Sequence, residues 1–287
     1  MMLTMRLTLQ RLLGLLGGAR PLLVGSLILG FMLACALSAN HFYPGDPLDI
    51  VAQPNLWPGA PGHVLGTDMM GRDMAAGLMH SAGVSLAVGF FAALLSVTIG
   101  ITIGVTAGYF RGWLDEVLMR ITEMFQTLPS FLFAIVLVVI LTPSIASIIF
   151  AIGVTTWPQI TRLVRAEALR VRNAEYVTAA RTIGLPSRSI ILSHVLPNSL
   201  SPVVVATSVL MAQAILTEAS LSFLGLGDPS VISWGSMIGM GRSTLRTTWY
   251  MTALPGAAIF ATVISFMLLG NGLNDYFNPR LKKQSSR

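Results

Sequence analysis

The chain has 287 residues, 54% of them hydrophobic and only 10% charged, with a mean hydropathy of +0.73. A soluble domain carries about 25% charged residues because its surface must be wetted, so most of this surface is expected to face lipid. The formal charge of +6 is scattered in short segments between apolar runs, a pattern of membrane topology with anionic headgroups as a contact, and no nucleic-acid partner is expected.

About 20 apolar residues are needed to cross a hydrocarbon core of about 30 Å. Stretches at 21–39, 84–107, 118–141, 145–160, 202–226 and 250–273 qualify, the fourth being short. They predict an all-α membrane protein of about six transmembrane helices.

Residues 1–39 comprise a basic N-terminus and the first span. Ala36, Ser38 and Ala39 offer small residues for a signal peptidase, but the apolar run is longer than a typical signal core, which favours an uncleaved helix. Residues 40–82 contain Pro44, Pro47, Pro54, Pro58 and Pro61 and predict a loop too broken for a long helix. Within it Thr67 or Asp68 is placed to cap a short helix, and His63, Asp68, Arg72 and Asp73 are placed for local ion pairing. Residues 83–278 hold the remaining spans, and 279–287 form a tail.

In the second span Ser96, Gly100, Gly104 and Gly108 recur every fourth residue, stacking small side chains where another helix can approach closely. Asp115, Glu116, Arg120 and Glu123 sit at the start of the third, where charges one turn apart can pair, and Asp275 and Arg280 bracket the end of the sixth. The single cysteine, Cys35, cannot form an intrachain disulfide, and His41, His63, His80 and His194 have no metal-ligand spacing.

With the N-terminus in the cytoplasm, Arg6, Arg11, Arg20, Arg111, Arg120, Arg162, Arg165, Arg170, Arg172, Arg181, Arg188, Arg280, Lys282, Lys283 and Arg287 lie inside. Only Arg72, Arg242 and Arg246 of the 18 basic residues lie outside. This asymmetry predicts that both termini are cytoplasmic and that 40–82 is extracytoplasmic, as is Asp228 to Trp249, whose Trp234 and Trp249 suit an interface.

The largest inner loop, about 162–199, reads as two short helices. Glu175 to Ile183 is the first, Gly184 can take the left-handed conformation that stops it, and Pro186 suits the first turn of the second. Ala179 and Ala180 leave little side chain between backbone and a partner, and Tyr176 lies one turn before Ala180 as an anchor. Docking to a protein and lying on headgroups fit these residues equally. Glu218 is an ionisable group within the fifth span, with Ser222 and Gly225 on its face. Such a stripe suits either a pathway or gate, or a structural hydrogen bond between helices. The only lysines are Lys282 and Lys283, so no phosphate-binding loop is present and any ATP must be hydrolysed by another subunit.

The segment from Tyr176 to Asn198, YVTAARTIGLPSRSIILSHVLPN, resembles the EAA loop of ABC importer permeases, with Ala179, Ala180, Gly184, Leu196 and Pro197 matching. Thr178 stands where the general pattern has Glu and His194 where it has Ile, as is usual in the dipeptide, oligopeptide and nickel branch. Further matches are HVLGTDMMGRD (His63 to Asp73), GYFRGWLDEVLMR (Gly108 to Arg120), WPQITRLVRAEAL (Trp157 to Leu169), EASLSFLGLG (Glu218 to Gly227) and SWGSMI (Ser233 to Ile238). They identify the chain as similar to the C-type permeases of that branch.

The resemblance implies a MetI-like transmembrane domain in the inner membrane and no catalytic residue or cofactor in this chain. It implies a second homologous permease, two ATPases that bind ATP and magnesium, and an extracytoplasmic substrate-binding protein. Tyr176, Thr178, Ala179, Ala180, Gly184, Leu196 and Pro197 would couple to an ATPase, Glu218 and Ser222 would line a pathway or gate, and Asp68, Arg72 and Asp73 would contact the binding protein. The cargo expected is a peptide, nickel or a metal chelate. A membrane-embedded hydrolase would need a nucleophile paired with histidine at depth, which the sequence does not supply, and a non-transporting scaffold would leave Glu218 without a purpose.

Overall fold

In the computed structural model the described residues run from 2 to 277, with side chains from 20 to 275. The side chains of Arg6 and Arg11, and the tail with Arg280, Lys282, Lys283 and Arg287, lie outside them. The elements are α1 (Met2–Phe42), α2 (Met74–Phe110), α3 (Gly112–Gln126), α4 (Ser130–Leu141), α5 (Ile145–Arg172), α6 (Glu175–Thr182), α7 (Ser187–Ile190), α8 (Leu196–Phe223), α9 (Trp234–Gly241) and α10 (Tyr250–Phe277). A π-helical turn, Ile191–Val195, joins α7 to α8.

Four helical stretches are long and apolar enough to cross a membrane: Arg20–Phe42, Met74–Phe110, Ser187–Phe223 and Tyr250–Asp275. The predicted span at 118–141 is not one helix. It is broken into α3 and α4, whose axes differ by 82°. Pro129 explains the break: it has no N–H to donate, and its ring disfavours helical geometry at Leu128. α3 is amphipathic with one buried residue, Thr122, whereas α4 is wholly apolar. The fourth predicted span is the first half of the 28-residue α5. That helix is long enough to cross, about 42 Å, but Arg162, Arg165, Glu167, Arg170 and Arg172 crowd its second half.

α2 begins at Met74, ten residues before the apolar run, so residues 74–82 are helix and not loop. Its cap is Asp73, not Thr67 or Asp68: the Asp73 carboxylate accepts from the N–H groups of Ala75 and Ala76 at 2.8 and 2.9 Å. The 37 residues of α2 form the spine of the bundle. α5 lies along its small-residue stripe, where a Cβ on Gly104 would meet the Thr161 carbonyl and the Val164 side chain at 2.7 Å, and one on Gly108 would meet Ala168 at 2.7 Å. Only glycine permits this separation, which brings the two backbones into dispersion contact along several turns.

Four apolar clusters fill the bundle, one of them, with Met74, Ile232, Met237, Tyr250 and Met251, under the 43–73 loop. At one end Tyr109, Val171, Val177, Ala180, Ile190 and Val195 pack together. In the middle Val88 and Ala92 of α2 meet Ala134 and Val138 of α4, Ile152 of α5 and Leu221 of α8. Towards the other end Leu86, Ile215, Trp234 and Phe266 join α2, α8, α9 and α10. The 43–73 loop closes that end, and the Tyr250 hydroxyl, at the start of α10, reaches the carbonyls of Leu56 and Thr67 at 2.8 Å. The two ends are called the hairpin end (α6–α7) and the loop end below.

Candidate functional site

At the hairpin end α6 and α7 form a preorganised projection. Gly184 has φ +84°. The Leu185 N–H reaches back to the Ala180 carbonyl and the Gly184 N–H to that of Arg181, at 3.1 and 3.0 Å, the paired bonds of a Schellman stop. Pro186 lies just before α7 as its cap, not within the first turn.

The face assignment differs from the sequence expectation. Val177 and Ala180 are the inward residues of α6, 0% and 5% exposed, packed on Tyr109, Val171 and Ile190. Ala180 therefore belongs to the subunit's own core. The free surface of the hairpin is Thr178, Ala179, Thr182, Ile183 and Leu185, with Ile183 76% exposed. The Thr178 hydroxyl bonds to the Ala174 carbonyl within its own helix. Tyr176 is half exposed and stacks on the His194 ring, centroids 6.3 Å apart. Leu196 is half-buried beneath the hairpin and Pro197 is exposed in the first turn of α8. An exposed surface of small and apolar residues on a rigid turn is suited to filling a complementary cleft.

The base of the projection is braced by a pair that sequence reading missed. The Arg165 guanidinium donates twice to Asp115, at 2.6 and 2.7 Å, fastening α5 to α3. Arg120 and Glu123 do pair within α3, but at 3.6 Å on an exposed face.

Glu218 is 1% exposed. Its carboxylate accepts from the Ser222 hydroxyl at 2.7 Å and from the Ser85 hydroxyl of α2 at 3.2 Å, and Ser85 also accepts from the Trp234 N–H at the start of α9. The carboxylate thus joins three helices. Ser222 borders an open cavity of ≈ 300 Å³ lined also by Asp228, Ser236 and Arg242, whereas Glu218 does not line it. Asp228 accepts from the Ser230 hydroxyl and N–H and from the Ile145 N–H at the start of α5, bonds that hold its carboxyl below the usual carboxylate range.

At the loop end Asp68, 6% exposed, accepts from the N–H groups of Met70 and Arg72 within its own turn. Asp73 caps α2 and also pairs with His63 at 2.6 Å, while Arg72 reaches the Met240 sulfur of α9. These three candidates brace the loop. Among the side chains that the loop presents outward are the large apolar Ile50, Val51, Trp57, Val64 and Met70, which no spacing rule marks.

Residues 100–283 match the family described as "Binding-protein-dependent transport system inner membrane component". The chain is 36% identical to the glutathione transport system permease protein GsiD of Pectobacterium atrosepticum, over 88% of this chain and 84% of that protein. It is 35% identical to the di/tripeptide transport system permease protein DppC of Pseudomonas aeruginosa, covering 90% and 88%. In structure it is similar to a chain of the MetNI methionine ABC transporter in an inward-facing conformation, with a TM-score of 0.55, 18% identity and coverage of 74% of this chain and 97% of that one. The chain belongs to the family of binding-protein-dependent transport system inner membrane components, and its fold is that of MetI-like permeases.

Proposed function

We propose that this chain is a C-type permease subunit of an ABC importer for short peptides, forming the translocation pathway with a second homologous permease. Two separate ATPases bind ATP and magnesium and drive it through the α6–α7 hairpin, and an extracytoplasmic binding protein delivers cargo at the loop end. The observation that carries this reading is the exposed, preorganised surface around Ala179 and Ile183, on a chain that belongs to a binding-protein-dependent family. Relatives named for glutathione and di/tripeptides support a short peptide as cargo. The basic asymmetry supports cytoplasmic termini in the inner membrane.

Uptake of labelled glutathione, a dipeptide and a nickel chelate in a deletion strain, with and without this gene, tests the function. Peptide uptake that returns with the gene is expected. Restoration of nickel-chelate uptake alone would overturn the cargo, and assembly with no uptake of any kind would make the chain a scaffold. A periplasm-only reporter fused after Arg287 is expected to be silent, and its activity would reverse the orientation.

A further inference from the structure

At the hairpin end Tyr109, Phe110, Arg172, Arg181, Leu185 and Ile190 surround an open cavity of ≈ 290 Å³. Arg172 closes α5 and Arg181 lies in the last turn of α6, so both guanidinium groups come from helix C-termini, where cations are favoured. The guanidinium carbon of Arg181 lies over the Tyr109 ring, 4.9 Å from its centroid. Among the described residues neither arginine has a carboxylate within ion-pair distance; the pairs formed by arginines are those of Arg120, Arg165 and Arg170.

Two positive charges therefore face the cavity, offset by the carbonyl ends of α5 and α6 and, among the described residues, by no carboxylate. Nε of Arg172 and Nη2 of Arg181 are shut off from solvent and have no hydrogen-bond partner. Burial, with the nearby charges of Arg181 and Arg111, also lowers the pKa of Arg172. Both arginines line the cavity and are only partly buried, so a multidentate anion entering it meets two guanidinium groups at once. Half-exposed Phe110 and the Leu185 side chain add an apolar rim. A polar cavity with an apolar, aromatic margin suits a phosphate that carries acyl chains better than a free one.

We propose that this cavity binds the phosphate of an anionic phospholipid headgroup, with Arg172 and Arg181 as its ligands. The site adjoins the docking surface of the hairpin at Leu185, while its two arginines lie off that surface. Because the two arginines root the start and end of α6, a bound phosphate removes their mutual repulsion and tightens the hairpin onto the bundle.

The test uses the assembled transporter in detergent, with phosphatidylglycerol or phosphatidylcholine added and retained lipid counted by native mass spectrometry. Phosphatidylglycerol is expected to be retained in preference, and Arg172→Gln or Arg181→Gln to weaken its retention by about tenfold each. Arg120→Gln, an exposed arginine on α3, is expected to leave retention unchanged. Arg172→Lys and Arg181→Lys keep the charge should the Gln variants fail to assemble, and, lacking the planar fork, they are expected to weaken retention about threefold. Equal retention of both lipids, or full retention by all the variants, would overturn the proposal. Displacement of the lipid by millimolar inorganic phosphate would make free phosphate the ligand and overturn the lipid source. Loss of the ATPase from Arg172→Gln with lipid retention intact would assign the cavity to a carboxylate of the ATPase and overturn it as well.

Discussion

Asp115 and Arg165, 50 positions apart, form a two-pronged ion pair at 2.6 and 2.7 Å. It is the one strong electrostatic tie from α3 to α5 among the described residues, since the other side-chain pairs are local or belong to the loop. Asp115→Asn is expected to cost about 1–3 kcal/mol, because Arg165 keeps its charge in a half-buried place. The thermal midpoint of the purified complex reads the loss. Adding Arg165→Met to Asp115→Asn should cost less than the separate effects together, and strict additivity would mean that the pair contributes nothing.

Neighbouring alanines on α6 separate docking from folding. Ala179 is exposed, so Ala179→Glu is expected to leave the subunit and its partner permease assembled while the ATPase fails to co-purify and uptake stops. Ala180 is buried against Tyr109 and Ile190. Ala180→Glu places an unpaired charge in that cluster and is expected to cost about 3–5 kcal/mol in the hairpin itself, seen as proteolysis near 185 even without the ATPase. Equal ATPase recovery by Ala179→Glu and wild type would remove the hairpin from the coupling role.

Gly184 has φ +84° with open space where a Cβ would project, so substitution there meets backbone strain and no clash. Asn tolerates the left-handed region and Val does not. Gly184→Val is expected to lose about 1–2 kcal/mol of hairpin stability, and Gly184→Asn less than half of that. Hydrogen exchange at the Leu185 amide measures it, and equal exchange in the two variants would contradict the Schellman stop.

Glu218 has its hydrogen bonds satisfied inside one subunit. Glu218→Gln keeps a partner for Ser85 and Ser222, because either hydroxyl can reverse its role, and is expected to assemble and transport normally. Glu218→Ala leaves the Ser85 and Ser222 O–H groups without their carboxylate acceptor beside a new cavity, a loss of about 3–5 kcal/mol, and is expected to lower the yield of assembled complex. Full assembly of Glu218→Gln without uptake would give this carboxylate a pathway role.

What the sequence disclosed, and what it withheld, follows from the range of each interaction. Gly184 as a stop and the stripe from Ser96 to Gly108 are local patterns, and both appear in the structure as read. The break at Pro129 was also local, but averaging hydropathy across 118–141 hides a single proline between the amphipathic α3 and the apolar α4. The inward face of α6 could not be read from eight residues, because it is set by Tyr109 and Val171 from other helices. The same holds for Asp115 with Arg165 and for the outward set of Ile50, Val51, Trp57, Val64 and Met70. These depend on the register of α2 against α5 and on the path of an irregular loop, which no periodicity encodes.

The turn at Pro129 leaves α4 with only 12 residues, about 18 Å of helix, against a hydrocarbon core of about 30 Å. Its exposed Leu132, Val136, Val139 and Ile140 give it an outward apolar face all the same. Where that face meets lipid, acyl chains must shorten or splay to match it, so the leaflets are drawn together beside α4 and held at full thickness beside α2. A lipid-facing α4 would thereby set up a gradient of bilayer thickness around the perimeter of the subunit. Assembly would then be expected to depend on chain length: lipids with shorter acyl chains relieve the mismatch at α4, and longer ones press on the joint between α3 and α4.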